Sequence, residues 1–219
     1  MEVDVASGLA SVRGRIAAAC SRAGRDPATV RLVAVTKTKP VEMLRQAFAA
    51  GQKTFGENYA QELREKAEAL PGAEWHFIGA LQTNKAKLVV GRASLVHTCD
   101  RLALAQELSK RAKAGGLTQR VLLEVNVGRE PQKAGAMPDQ VAQLLEQVRA
   151  LPALSCEGLM CIPPMDGDPR PHFRALRELA RALGLAQLSM GMTADYEIAI
   201  EEGATLVRIG TAIFGERAR

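Results

Sequence analysis

Aromatic residues make up only 4% of this 219-residue chain, with a single tryptophan and two tyrosines. So few rings leave little stacking surface for single-stranded nucleic acid, and no dense lysine or arginine block compensates. The net charge of +5 is spread through apparent helices and favours small anionic molecules through the long-range field. No apolar run approaches the roughly 18–20 residues needed to span a bilayer. Arg13 and Arg15 interrupt what would be the apolar core of a signal peptide. The four cysteines contain no CxxC pair, and Cys156 and Cys161, the closest two, match no common zinc or redox spacing. They read as small hydrophobes of a reduced protein. Linkers, low-complexity tracts and composition breaks are lacking as well. The expectation is one domain over residues 1–219, cytoplasmic and monomeric, without metal, nucleic-acid or membrane partners.

What is present is alternation. Hydrophobic residues reach 47%, enough for a sizeable core, and short apolar runs alternate with amphipathic stretches every 20–30 residues or so. A leading helix carries Leu9, Val12, Ile16 and Cys20 at helical spacing, with Ser7 as its expected cap and Gly24 as its stop. The first strand is Arg31–Thr36, whose near-continuous apolar run fits a parallel sheet covered on both faces. Pro40 suits the first turn of the helix that follows. Further strands are expected at Lys53–Phe55, Trp75–Ile78, Leu95–His97, Gln119–Val125, Leu154–Glu157, Gln187–Ser189 and Thr205–Ile209, with helices near 58–69, 84–90, 101–113, 138–149, 170–183 and 194–202. Eight parallel strands with right-handed crossovers predict an α/β fold, a (β/α)8 TIM-like barrel with an extra N-terminal helix. An open doubly wound sheet is the alternative.

In such a barrel, functional side chains gather where strands end and loops begin. Lys37 follows the first strand with the parity of Val33 and Val35, and Lys39 could supply a second cation that lowers its pKa. Taken alone, such a lysine also fits a solvated loop. The last strand runs into Gly210-Thr211-Ala212-Ile213-Phe214-Gly215, and the preceding one into Ser189-Met-Gly-Met-Thr-Ala-Asp195. Two glycine- and hydroxyl-bearing loops after consecutive final strands suit a phosphate. Arg208, inside the last strand, is either the partner of a carboxylate such as Glu124 or a ligand contact. Asn58, His76, Gln82, Asn84 and Lys85 could line the same mouth, although capping also explains such residues. His97 and His172 have no visible partners and receive no role.

Together, AVTKTKP, FGENYAQE, WHFIGALQTNK, LLEVNVGREPQKAG, GLMCIPP, LSMGMTADYEIAI and VRIGTAIFG, ordered from about Ala34 to Gly215, resemble the pyridoxal phosphate homeostasis protein family. The resemblance implies a barrel similar to the alanine racemase N-terminal domain, and pyridoxal 5'-phosphate (PLP) held as a Schiff base on Lys37. It places Thr193, Gly210 and Thr211 at the phosphate, Met190, Gly191 and Met192 near the same wall, Arg208 beside the pyridine nitrogen, and Asn58 near the cofactor. Thr193 stands where serine is usual after MGM, and Thr36 likewise replaces a common serine; both keep a hydroxyl.

The implied role is intracellular PLP (vitamin B6) homeostasis, with PLP-dependent apo-enzymes as possible recipients, rather than robust catalysis. An arginine beside the ring nitrogen disfavours its protonation and weakens the electron sink. Two-base racemisation also needs an acid/base group opposite Lys37. In alanine racemase-like enzymes an additional β domain supplies it, and no such domain is expected after Gly215. Tyr59 and Tyr196 are the tyrosines left to substitute. The alternatives are a PLP-dependent amino-acid racemase and a cofactor-free barrel isomerase acting on a phosphorylated metabolite.

Overall fold

The apolar runs assemble into eight parallel strands. The computed structural model describes residues 3–216. The strands are β1 (Arg31–Val35), β2 (Thr54–Glu57), β3 (Glu74–Phe77), β4 (Leu95–Cys99), β5 (Gln119–Val125), β6 (Leu154–Cys161), β7 (Gln187–Ser189) and β8 (Leu206–Ile209). Each pairs with the next, and β8 closes on β1 through Arg31 to Ala34 against Leu206 to Ile209. That closure rules out the open sheet. The helices are α1 (Val5–Arg22), ahead of the barrel, then α2 (Val41–Ala49), α3 (Ala60–Ala69), α4 (Ala86–Val89), α5 (Leu102–Ala114), α6 (Val141–Arg149), α7 (Arg170–Ala182), α8 (Tyr196–Glu201) and α9 (Thr211–Phe214).

Two expectations need correction. Asp4, not Ser7, caps α1: its carboxylate accepts from the Ser7 N–H at 3.0 Å and the Ser7 hydroxyl at 2.6 Å. β6 also runs past Glu157 to Cys161. Val121 pairs with Cys156 but Leu122 with Gly158, so Glu157 is the extra residue of a bulge and the glycine marks an irregularity within the strand.

Alternation along the strands sorts side chains into two cores. Leu32, Ala34, Phe55, Trp75, Phe77, Leu123 and Val207 pack outward against the helices. Val33, Leu95, Leu122, Met160 and Leu206 form a smaller cluster inside the barrel. His76, His97, Glu124, Ser189 and Arg208 share that inward parity, and all five are buried. The barrel interior is therefore partly polar, and its polar groups must find partners there.

Candidate cofactor site at the barrel mouth

The C-terminal ends of parallel strands in a closed barrel share one rim. β7, β8, β1 and β2 are consecutive around it. The closure thus gathers Thr193, Arg208, Gly210, Thr211, Lys37 and Asn58 into one sector, although they are far apart in sequence.

Lys37 is half-buried just beyond β1, and its neighbours on both sides are fastened. The Lys66 ammonium on α3 donates to Thr36 O at 2.7 Å, to Glu57 Oε1 at 2.7 Å and to Glu62 Oε2 at 2.6 Å. The Thr36 hydroxyl donates to Glu57 Oε1 at 2.7 Å, and the Thr38 N–H to Glu62 Oε2 at 2.9 Å. Thr38 has φ 63, a left-handed conformation unusual for threonine. The clasp Glu57–Lys66–Glu62 thus holds the backbone before and after Lys37. Burial pushes the Glu57 carboxyl up, against the pull of Lys66.

Lys39 also acts as a tether, which the sequence did not show. Its ammonium donates to the carbonyls of Phe214, Gly215 and Glu216 at 2.7–2.9 Å, tying the β1 loop to the C-terminal end of α9.

Asn58 lies just beyond β2 in close backbone contact with Gly79, where an added Cβ would come 2.2 Å from Asn58 O. Its Oδ1 is buried and has no hydrogen-bond partner among the described residues. Asn58, Gly79, Thr98, Glu124 and Lys133 line a cavity of about 280 Å³ in the mouth. Glu124 carries a carboxyl pushed up to about 7 by burial and by the nearby charge of Asp100. Gln82 and Asn84 are exposed, on and beside the turn Thr83–Lys85. His76 is in the barrel interior instead.

Arg208 is buried and does not pair with Glu124. It donates to Ser189 Oγ at 2.6 Å and to Cys161 O at 3.0 Å, while its own N–H donates to Gly191 O at 3.0 Å. Gly191 has φ +92, and a Cβ there would meet Ala199 Cβ at 2.6 Å, so only glycine fits the turn into α8. Met190 sends its side chain into the outer core, and its N–H donates to Leu206 O at 3.1 Å. Thr193 is half-buried and Thr211 exposed, the latter opening a turn in which the Ile213 and Phe214 N–H groups return to Gly210 O.

Sequence reasoning passed over Glu57, Glu62, Lys66 and His97. The Glu62–Lys66 pair at i,i+4 on the helix after β2 was a usable signal. His97 had none, since its partners are 21 and 92 residues away. Among the described residues, no group of three or more His, Cys, Asp or Glu could hold a metal ion.

A pyridine aldehyde bearing a phosphate suits this chemistry: an amine just beyond one strand end, a buried guanidinium on the strand paired beside it, and an orphaned amide oxygen at the rim. The family model "Alanine racemase, N-terminal domain" matches residues 9–218. A pyridoxal phosphate homeostasis protein of Aquifex aeolicus is 48% identical over 220 residues, spanning 95% of this chain and 96% of its own. PipY of Synechococcus elongatus, solved with PLP bound, superposes at TM-score 0.83 and 34% identity, covering 97% of this chain and 100% of that one. An alanine racemase of Clostridium difficile, at 13% identity and TM-score 0.73 over 93% of this chain and 56% of its own, shares the fold alone. By sequence and barrel alike, the chain belongs to the pyridoxal phosphate homeostasis protein family.

Proposed function

We propose that this protein binds PLP covalently through Lys37 and holds it for cellular vitamin B6 homeostasis, as a cytoplasmic monomer that passes the cofactor to PLP-dependent apo-enzymes. The observation that carries the reading is the contiguity of β7, β8, β1 and β2, which unites a fastened lysine, a buried arginine and two hydroxyl-bearing loops on one rim.

When bound, the cofactor supplies an aldehyde carbon and an electron-withdrawing ring. Lys37 is the amine that takes the carbon, and the clasp at Thr36 and Thr38 limits how far its backbone can stray. Thr193, Gly210 and Thr211 would hold the phosphate with backbone N–H groups and hydroxyls, with Gly191 on the same wall. Arg208 would stand beside the ring nitrogen. A guanidinium is a donor at every nitrogen and stays charged, so it disfavours a proton on that nitrogen and mutes electron withdrawal. Asn58, just beyond β2, would lie near the ring with its unpartnered Oδ1.

Muted withdrawal suits holding better than catalysis. The racemase reading gains nothing from the tyrosines. Tyr196 packs in the outer layer with Arg15 of α1 over its ring at 5.3 Å, and Tyr59 is 51% exposed. The test is the absorption spectrum of the PLP-loaded protein with a racemisation assay on the same sample. A visible band that borohydride removes and that is absent from Lys37→Ala, with no racemisation above background, supports the proposal. Robust turnover lost in Tyr59→Phe overturns the holding role, and an unchanged band in Lys37→Ala overturns the attachment.

A further inference from the structure

The polar groups inside the barrel form a single file. Arg208 Nη1 lies 2.6 Å from Ser189 Oγ; Ser189 Oγ lies 2.8 Å from His97 Nδ1; His97 Nε2 lies 2.9 Å from His76 Nδ1; His76 Nε2 lies 3.3 Å from Glu74 Oε1. The file starts on β8 near the mouth and ends at the first residue of β3, at the opposite end of the barrel. There Glu74 also accepts from Arg31 at 3.0 and 3.1 Å, from Thr54 at 3.0 Å and from Ser94 at 3.3 Å.

Its carboxylate end fixes the proton order, and its guanidinium end is compatible with that order. A guanidinium only donates and an ionised carboxylate only accepts. Ser189 Oγ therefore accepts from Arg208 and gives its own hydrogen to His97 Nδ1. His97 then carries its proton on Nε2 and donates to His76 Nδ1, and His76 carries its proton on Nε2 and donates to Glu74. The reverse order would make Glu74 a donor while four other hydrogen bonds from three side chains call on it as an acceptor. Both rings are held neutral, because burial pushes each imidazole down, His97 furthest.

We infer that Glu74, His76, His97 and Ser189 are positioning residues for Arg208, a one-way hydrogen-bond file that sets the plane of its guanidinium from the far end of the barrel. This rests on the reading above for what Arg208 touches, but the proton order does not depend on any cofactor. Serine alone could not do it. A lone hydroxyl under a guanidinium is free to rotate, whereas one whose hydrogen is committed to His97 Nδ1 presents its lone pair to Arg208 in one direction. The Cys161 carbonyl takes the second nitrogen, so the fork is held at two points.

Nitrogen-15 NMR of the full-length protein without cofactor reads the histidine tautomers directly. The inference expects His76 and His97 both unprotonated at Nδ1 and protonated at Nε2 at neutral pH. Either ring protonated at Nδ1 overturns it, whatever the variants do. In the PLP-loaded protein, His97→Phe and Glu74→Leu should shift the cofactor's absorption maximum and weaken PLP binding about tenfold, the worth of one charge-assisted hydrogen bond. Glu74→Gln, which keeps an acceptor oxygen, should restore most of the wild-type spectrum. Ser109→Ala, which removes a buried hydrogen bond to Pro152 O elsewhere, should lower stability without moving the spectrum. If His97→Phe and Ser109→Ala move the spectrum alike, or neither moves it, the file is merely structural and the inference fails. Expected tautomers in a protein that takes up no PLP would instead count against the proposed function alone.

Discussion

Replacing Lys66 by methionine should damage the site without touching it. The Lys66 side chain is 7% exposed and that of Glu57 fully buried, and one ammonium serves Glu57, Glu62 and the Thr36 carbonyl. Lys66→Met keeps most of the volume and leaves the Glu57 carboxylate buried without its cation, at a cost of about 3–5 kcal/mol. Domains of this kind have about 5–15 kcal/mol in total, so the variant should still fold at low temperature. Pairing it with Glu57→Leu removes the stranded charge and should recover part of the loss. In Lys66→Met the Glu57 carboxyl rises further above its unfolded value. A group raised on folding adds stability below that value, so the penalty should shrink as pH falls. Urea unfolding of the three proteins at two pH values gives the energies, and dilution into buffer gives the rate at which bound PLP is lost. That rate should rise in Lys66→Met well below its melting range, because the clasp holds the residues on either side of Lys37. A loss below about 1 kcal/mol with unchanged retention would place the clasp among ordinary surface pairs and refute the reasoning.

Acidification should weaken the fold through the two inner histidines. Both are held neutral while the unfolded chain binds protons below about pH 6.5, so stability should fall with pH by up to roughly 1.4 kcal/mol per pH unit for each ring; a flat urea midpoint between pH 7.5 and 5 would contradict their burial as neutral groups. Glu74, brought down to about 2 first of all by its hydrogen bond with His76, should keep its contribution until far lower pH. Gly191→Ala meets both a positive φ and a contact at 2.6 Å, and should cost roughly 1–3 kcal/mol of stability by thermal unfolding. Thr211→Ala should weaken PLP retention by about 1–3 kcal/mol in a binding titration, if its hydroxyl serves the phosphate; an unchanged affinity would remove Thr211 from the site.

Much of the barrel could be read in advance because its signals are local. β5 and the brief β7 fall on Gln119–Val125 and Gln187–Ser189, the bounds expected from the alternation of apolar runs. β6 was expected to end at Glu157, and only its pairing with β5 reveals the bulge and the continuation to Cys161. The rim was legible through loops that follow strands, which is why Lys37 and the loop holding Gly191 emerged, and Arg208 stood out as a charge inside a strand. Its supports were not. For Arg208 the sequence left a carboxylate such as Glu124 and a ligand as alternative partners, and it gave no sign of the serine on β7 and the carbonyl on β6 that take the guanidinium. His97 looked idle because its partners lie on β3 and β7, and no window of sequence brings three strands together. Lys39 read only as a second cation for its neighbour, and its bonds to the carbonyls at the end of α9 had no local signal.

Covalent capture tests the central claim most directly. The protein is incubated with PLP, reduced with borohydride, weighed intact and digested for peptide mapping. One reduced PLP per chain, on the peptide containing Lys37 and absent from Lys37→Ala, is the predicted result. No gain in mass, or a gain at Lys39 or any other lysine, would contradict it.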